Sequence, residues 1–182
     1  MLILRDIELL EEVARRHRLT IHLTITTTNT RLARLLEPRA PRPDLRFHAL
    51  GRLRQAGLRA GVLCSPLMPG ITDSRASINA VAREAAAAHA SFFEANALFL
   101  KPCSLPTFFR FVEENFPEQL AAYQRRYSES AFVSPEYRKR VQELVDAICR
   151  EHKLGRRREE MPPASETPAA RMELQPWLPF SA

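Results

Sequence analysis

At 182 residues, with 45% hydrophobic and 26% charged side chains, the chain can bury a core of its own and is too apolar for wholesale disorder. It has no run of about 18 apolar residues, which excludes a spanning helix, and its N-terminus lacks the basic, apolar and small-residue succession of a signal peptide; a cytoplasmic protein is expected. The net charge of +6 comes from 27 basic and 21 acidic residues, but the bases are scattered over every predicted helix, so nucleic-acid binding is only suggested.

Residues 6–18 alternate as an amphipathic helix, with Ile7, Leu10 and Ala14 on one face and Leu9 and Val13 beside them. A helix that covers a parallel sheet normally follows a strand, and only residues 1–5 precede this one. Residues 20–28 switch to a period of two. Ile21, Leu23 and Ile25 point one way, and His22, Thr24 and Thr26 the other. Helical spacers on both sides argue for a parallel sheet with two covered faces, so a polar inner face predicts a ligand cavity.

A loop and short helix over residues 29–36 lead into the irregular, proline-broken segment 37–43. Asp44 is the expected cap of a helix through Ala56, buried along Leu45, Ala49, Leu53 and Ala56, and Gly57 is its stop. Residues 58–63 form a second strand whose exit loop is Ser-Pro-Leu-Met-Pro-Gly-Ile-Thr-Asp. Thr72 or Asp73 is the expected cap of the next helix, which packs through Ile78, Val81, Ala82 and Ala85. A third strand spans 91–100 and ends at Lys101. Helices follow over 105–115 and 117–126, and Ser134-Pro135-Glu136 opens a last one carrying Tyr137, Val141, Leu144, Val145 and Ile148, stopped by Gly155. From Gly155 onward the proline-rich composition predicts a disordered tail, with Trp177-Leu178-Pro179-Phe180 as an apolar cluster able to dock back. The expected division is therefore a folded unit, 1–154, and a tail, 155–182.

Other chemistries find little footing. Cys64, Cys103 and Cys149 are an odd, widely spaced set, neither a disulfide framework nor a metal motif, and are expected to be reduced thiols. The five histidines lack ligand spacing, and there is no Gly-rich phosphate loop or nucleophile elbow.

Three features taken in order are more specific: the Arg5-Asp6 opening, Leu-Glu-Pro-Arg-Ala-Pro at 36–41, and Pro-Leu-Met-Pro-Gly-Ile-Thr-Asp at 66–73. Over residues 2–154 the chain resembles the second half of the radical S-adenosylmethionine proteins related to spore photoproduct lyase. The resemblance implies an α/β fold, a partial (β/α) TIM-type barrel of about three parallel strands with extra C-terminal helices. It implies reductive cleavage of S-adenosylmethionine at a [4Fe–4S] cluster, giving a 5′-deoxyadenosyl radical that abstracts hydrogen from a substrate. It places Thr24, Thr26 and Thr28 beside S-adenosylmethionine, Glu37 in the family's Glu-Pro segment, and Pro66 and Pro69 in a loop over the active-site end. Glu37 is equally readable as a brace for its loop through Arg46, and Lys101 as an exposed lysine.

The departures are as informative. The family's Cys-x-x-x-Cys-x-x-Cys loop and Thr-Lys-Ser strand end are absent from this sequence, and residue 1 falls about where that strand would finish. The chain is expected to hold no cluster and to be inactive alone, its partner being a missing N-terminal half or a separate Cys-bearing chain. The alternative is a non-catalytic half-barrel that binds a partner chain or nucleic acid.

Overall fold

A computed structural model describes residues 1–156. A short 3-10 turn, Leu2–Asp6, runs into α1 (Ile7–Arg16), followed by β1 (Ile21–Thr24), α2 (Thr30–Leu36), α3 (Pro43–Gln55), β2 (Ala60–Leu67), α4 (Arg75–Ala87) and β3 (Phe93–Ala97). A second 3-10 turn precedes α5 (Leu105–Asn115), α6 (Pro117–Arg126) and α7 (Pro135–His152). The three strands form one open parallel sheet in the order β1-β2-β3. The mixed α/β class and the three parallel strands are as expected; the described residues form an open sheet, not a closed barrel. Among them, no helix is long and apolar enough to cross a membrane.

Parallel neighbours in chain order with right-handed crossovers put the connecting helices on one face. That face is the core: α3 and α4 pack on β2, and α7 packs on β3 and α4. Ile21, Leu23, Val62, Cys64, Phe93 and Ala95 point into it from the strands, and Leu50, Leu53, Ile78, Val81 and Ile148 meet them with no exposed surface. Each such side chain contributes roughly 1.5–3 kcal/mol by leaving water. The opposite face carries the half-buried His22, Thr24, Leu63, Ser65 and Glu94.

Several local expectations are corrected. The helix of α3 starts one residue before Asp44, with Pro43 in its first turn and Arg42 before it; Asp44 instead pairs with the Arg42 guanidinium at 2.9 Å. Leu45 is 49% exposed, and the buried stripe runs through Pro43, Arg46, Ala49, Leu50 and Leu53. An arginine displaces a leucine from that stripe because its charge is matched there by Glu37 and by two carbonyls, so burial leaves no donor stranded. Ser74, not Thr72 or Asp73, caps α4 through its hydroxyl and the Ser77 amide. Both of the earlier side chains are occupied within the preceding loop.

The first strand stops at Thr24 in regular pairing, although Ile25 still donates to the Leu63 carbonyl. The second strand is longer than expected and takes in Pro66, where the ladder to β3 shifts register between Cys64 and Leu67. A proline has no amide to give a ladder and is tolerated at such an irregularity; the Ser65 hydroxyl accepts the Asn96 amide at 2.7 Å and fills the gap. The third strand is shorter than 91–100. Its continuation bends away to bridge Phe99 with Phe132.

The cap of α7 is as read from the sequence: the Ser134 hydroxyl accepts the Tyr137 amide. The helix ends at Lys153, in the left-handed region at φ 55°, where Leu154 folds back to bury its side chain and donates to the Cys149 carbonyl. Gly155 is thereby freed to accept from the Phe93 amide, and Arg156 pairs with Glu94 and Asp146. The tail beyond, with its Trp177–Phe180 cluster, lies outside the described residues.

Candidate functional site

All three strands send their C-terminal ends to the same edge of the sheet, so the segments following Thr24, Leu67 and Ala97 gather there. After β1, Thr26 and Thr27 are buried and Thr28 half-buried. The Thr27 hydroxyl is committed to the Asn29 amide, and Asn29 caps α2 by accepting from Arg31 and Leu32. The Thr26 carbonyl lies 3.8 Å from the Cys64 sulfur, which places the threonine segment against β2.

Arg46 ties this segment to the proline-rich loop. Its Nη1 donates to the Thr24 carbonyl, its Nε to the Pro41 carbonyl at 2.8 Å, and its Nη2 to Glu37 at 2.9 Å. Glu37 therefore braces the loop, and one carboxylate oxygen is already engaged. Thr24 and Glu37 are brought together through this guanidinium. Pro66 sits apart from them, exposed within β2, while Pro69 is buried in the loop after it.

That loop is built by its own side chains. The Thr72 hydroxyl accepts from the Met68 amide at 2.8 Å, and Asp73 Oδ1 accepts from the Gly70 amide at 2.7 Å. Gly70 holds φ +78°, and a Cβ there would lie 2.5 Å from Gln119 of α6. Asp73 Oδ2 accepts the Tyr137 hydroxyl at 2.6 Å, so α7 is latched to the same loop. Around the latch stand Tyr123, Tyr127 and Arg126 of α6 and its C-terminus. The Arg126 guanidinium lies 5.1 Å from the Tyr137 ring centre, and the Tyr123 and Tyr127 rings stack at 6.1 Å. Burial first, and then the Asp73 carboxylate, push the Tyr137 hydroxyl well above its ordinary range; burial and the neighbouring Tyr127 and Asp73 do the same to Tyr123. Both stay protonated donors at neutral pH.

Among the described residues, two donors in this cluster have no hydrogen-bond partner, the buried Tyr123 hydroxyl and Arg126 Nη1. Buried donors left unfilled are uncommon and suit an oxygen acceptor, either water or a ligand carboxylate or phosphate. Sequence reasoning missed this cluster. Its one legible sign was Asp73 standing three residues after a Pro-Gly turn, where it serves the turn rather than the helix.

The thiols do not converge. Cys64 and Cys149 are buried and Cys103 is exposed, and burial pushes the Cys64 thiol up to about 12. Among the described residues, no three of His, Cys, Asp or Glu are placed to hold a metal ion.

Comparison with known proteins adds scale. The chain is 27% identical to uncharacterized proteins of Mycobacterium bovis and Mycobacterium tuberculosis over 177 residues, 97% of its own length and 52% of theirs. It spans about half the length of the curated relatives it matches. A shorter stretch of 69 residues, 38% of this chain and 22% of the other, is 32% identical to an uncharacterized protein of Acidianus two-tailed virus. No protein-family model and no solved structure matches the chain.

Proposed function

We propose that residues 1–154 are the C-terminal half of a radical S-adenosylmethionine barrel of the spore photoproduct lyase-like kind, in a cytoplasmic protein. The observation that carries this reading is the sheet itself: three parallel strands in chain order with α3, α4 and α7 packed on them and, among the described residues, His22, Thr24, Leu63, Ser65 and Glu94 half-buried on the other face. A parallel sheet normally has both faces covered, and a barrel interior is one way to cover the second. The matched relatives, about twice as long as the matched span, leave room for the other half. In this reading Thr24, Thr26 and Thr28 and the loop through Pro66 and Pro69 line the S-adenosylmethionine side, where hydroxyls are the groups that bond ribose or methionine.

The cluster does not fit this chain's own thiols, which lie apart and two of which are buried. Its ligands belong to the other half, and no step of the radical chemistry is assigned to residues here. Two reconstitutions with iron, sulfide and reductant test the proposal. The chain alone should develop no cluster absorbance and release no 5′-deoxyadenosine; the full-length mycobacterial relative should do both. A full-length relative that binds no cluster, or a cluster on this chain alone, overturns it.

The basic balance of +6 favours a second reading, a non-catalytic module on nucleic acid or a partner chain. DNA affinity that falls steeply between low and moderate salt would support it, since each neutralised phosphate adds about −0.9 to the log–log salt slope.

A further inference from the structure

The loop after β2 lies at the C-terminal edge of the sheet, where open α/β sheets hold their ligands. Two donors on α6, which meets that loop through Gln119, have nothing to bond among the described residues. Tyr123 is 1% exposed, and its hydroxyl, like Arg126 Nη1, is shut off from solvent. The two residues stand three apart on α6 and so share a face. Asp73 does not serve them: its oxygens accept from the Gly70 amide and the Tyr137 hydroxyl. A second guanidinium, that of exposed Arg140, lies 5.1 Å from the Tyr137 ring centre, the same distance as Arg126.

We propose that Tyr123 and Arg126 form a binding site for the terminal phosphate of a small phosphomonoester, with Arg140 beside it. Buried donors are costly unless something accepts from them, and both of these suit an oxygen. A phosphomonoester offers three oxygens and nearly two negative charges at neutral pH, so it can take both buried donors and keep one oxygen for Arg140. A carboxylate has two oxygens and one charge. Two guanidiniums outweigh the Asp73 carboxylate and the negative C-terminal end of α6, so the surroundings favour an anion.

The site also selects a terminal group. Tyr123 packs against Phe108 at 5.2 Å and stacks on Tyr127 at 6.1 Å, whereas Arg126 is half-buried at the end of its helix and turns on several rotatable bonds. A ligand enters by displacing that side chain and then takes both donors end-on. A diester within a polynucleotide has two unbridged oxygens and chain on both sides, so it reaches neither the depth nor the third contact. The helices α6 and α7 and the one loop supply all the residues the site uses.

Thermal unfolding of the full chain at matched ionic strength tests the assignment. Methyl phosphate and inorganic phosphate should raise the midpoint along a saturating curve, while dimethyl phosphate, acetate and chloride should not. Tyr123→Phe deletes the buried hydroxyl and keeps the ring. Without phosphate it should unfold no earlier than the parent chain, because the hydroxyl it loses has no partner to strand. Its dissociation constant for methyl phosphate should rise at least about tenfold, as should that of Arg126→Gln, the worth of a hydrogen bond to a charged group. A midpoint that phosphate raises equally in Tyr123→Phe, or not at all in the parent chain, overturns the proposal. So does acetate that matches phosphate, which would make this a carboxylate site, or dimethyl phosphate that does, which would favour a polynucleotide. A Tyr123→Phe chain less stable than its parent without phosphate would show the hydroxyl already bonded within the fold, and overturns it too.

Discussion

Two segments meet at the guanidinium of Arg46: the end of β1 through Thr24, and the proline loop through Pro41 and Glu37. Removing one partner of a buried ion pair is far costlier than having no pair, because the other charge is stranded. The two partners are not equal here, since the arginine side chain is 10% exposed and the glutamate 37%. Arg46→Ala should lower the unfolding free energy by about 3–5 kcal/mol, because it also orphans two carbonyls. Glu37→Ala should cost about 1 kcal/mol, as water reaches its place. Urea titrations compare them, and equal losses would mean that the carbonyl contacts do nothing. The thiols make a second prediction at this scale. Burial raises Cys64 to about 12 and raises Cys149 as well, the latter opposed in part by Arg156, whereas thiols of the unfolded chain ionise near ~8.5. A folded value above the unfolded one gives stability that is complete below about pH 8.5 and is lost as pH climbs toward the folded value. Tyr127, also pushed up to about 12 by burial, joins from about pH 10. Urea midpoints should therefore begin to fall near pH 8.5, and the double variant Cys64→Ala/Cys149→Ala should delay the onset to about pH 10. An unchanged onset would assign the fall to other groups.

Among the elements, the loop after β2 depends on the backbone of Gly70. Its φ of +78° and the approach of Gln119 oppose a side chain for two separate reasons. Gly70→Ala should cost about 1–2 kcal/mol from conformation alone, plus the displacement of the glutamine. In the background Gln119→Ala the second part should vanish and the first remain, so a double-mutant cycle in thermal unfolding separates them; full rescue would show that φ carries no cost. Helix and strand order was legible because period and punctuation are local properties. The Ser134-Pro135 start of α7 and the Gly57 stop of α3 needed nothing from the rest of the molecule. What could not be read was which of several competent side chains a given backbone amide would use. Thr72, Asp73 and Ser74 are all capable caps, and the choice fell to Ser74 only because Met68 and Gly70 occupied the other two. The Tyr123–Arg126–Tyr137–Asp73 cluster was illegible for a related reason. It joins residues up to 64 positions apart, and no spacing rule spans a distance that folding alone closes. The threonines after β1 show the reverse: alternation flagged them, while the commitment of the Thr27 hydroxyl to Asn29 waited for the loop geometry.

For the molecule as a whole, the uneven coverage of its surface matters most. The amphipathic face of α1 has no fully buried residue, although Ile7 and Leu10 pack against the core, and Leu2 and Leu9 are 78% and 61% exposed. Among the described residues, β1 is an edge strand of the sheet. Exposed apolar side chains and unpaired strand edges both promote association. Leu2→Glu/Leu9→Glu should lower concentration-dependent light scattering while moving the unfolding free energy by no more than about 0.5 kcal/mol per site, as usual for surface positions. Scattering that stays the same would place self-association elsewhere.

That edge also has a built-in end-stop. The bonds to β2 use Ile21 and Ile25, so by parallel alternation the carbonyls of His22 and Thr24 face the side away from β2. The upper of these two is already taken by Arg46. Any strand that docks there, from the other half of a longer protein or from a stray neighbour, can run its ladder only as far as His22 before it meets a guanidinium instead of an acceptor. A single side chain on a distant helix thus acts as a ruler for a pairing that lies wholly outside its own loop.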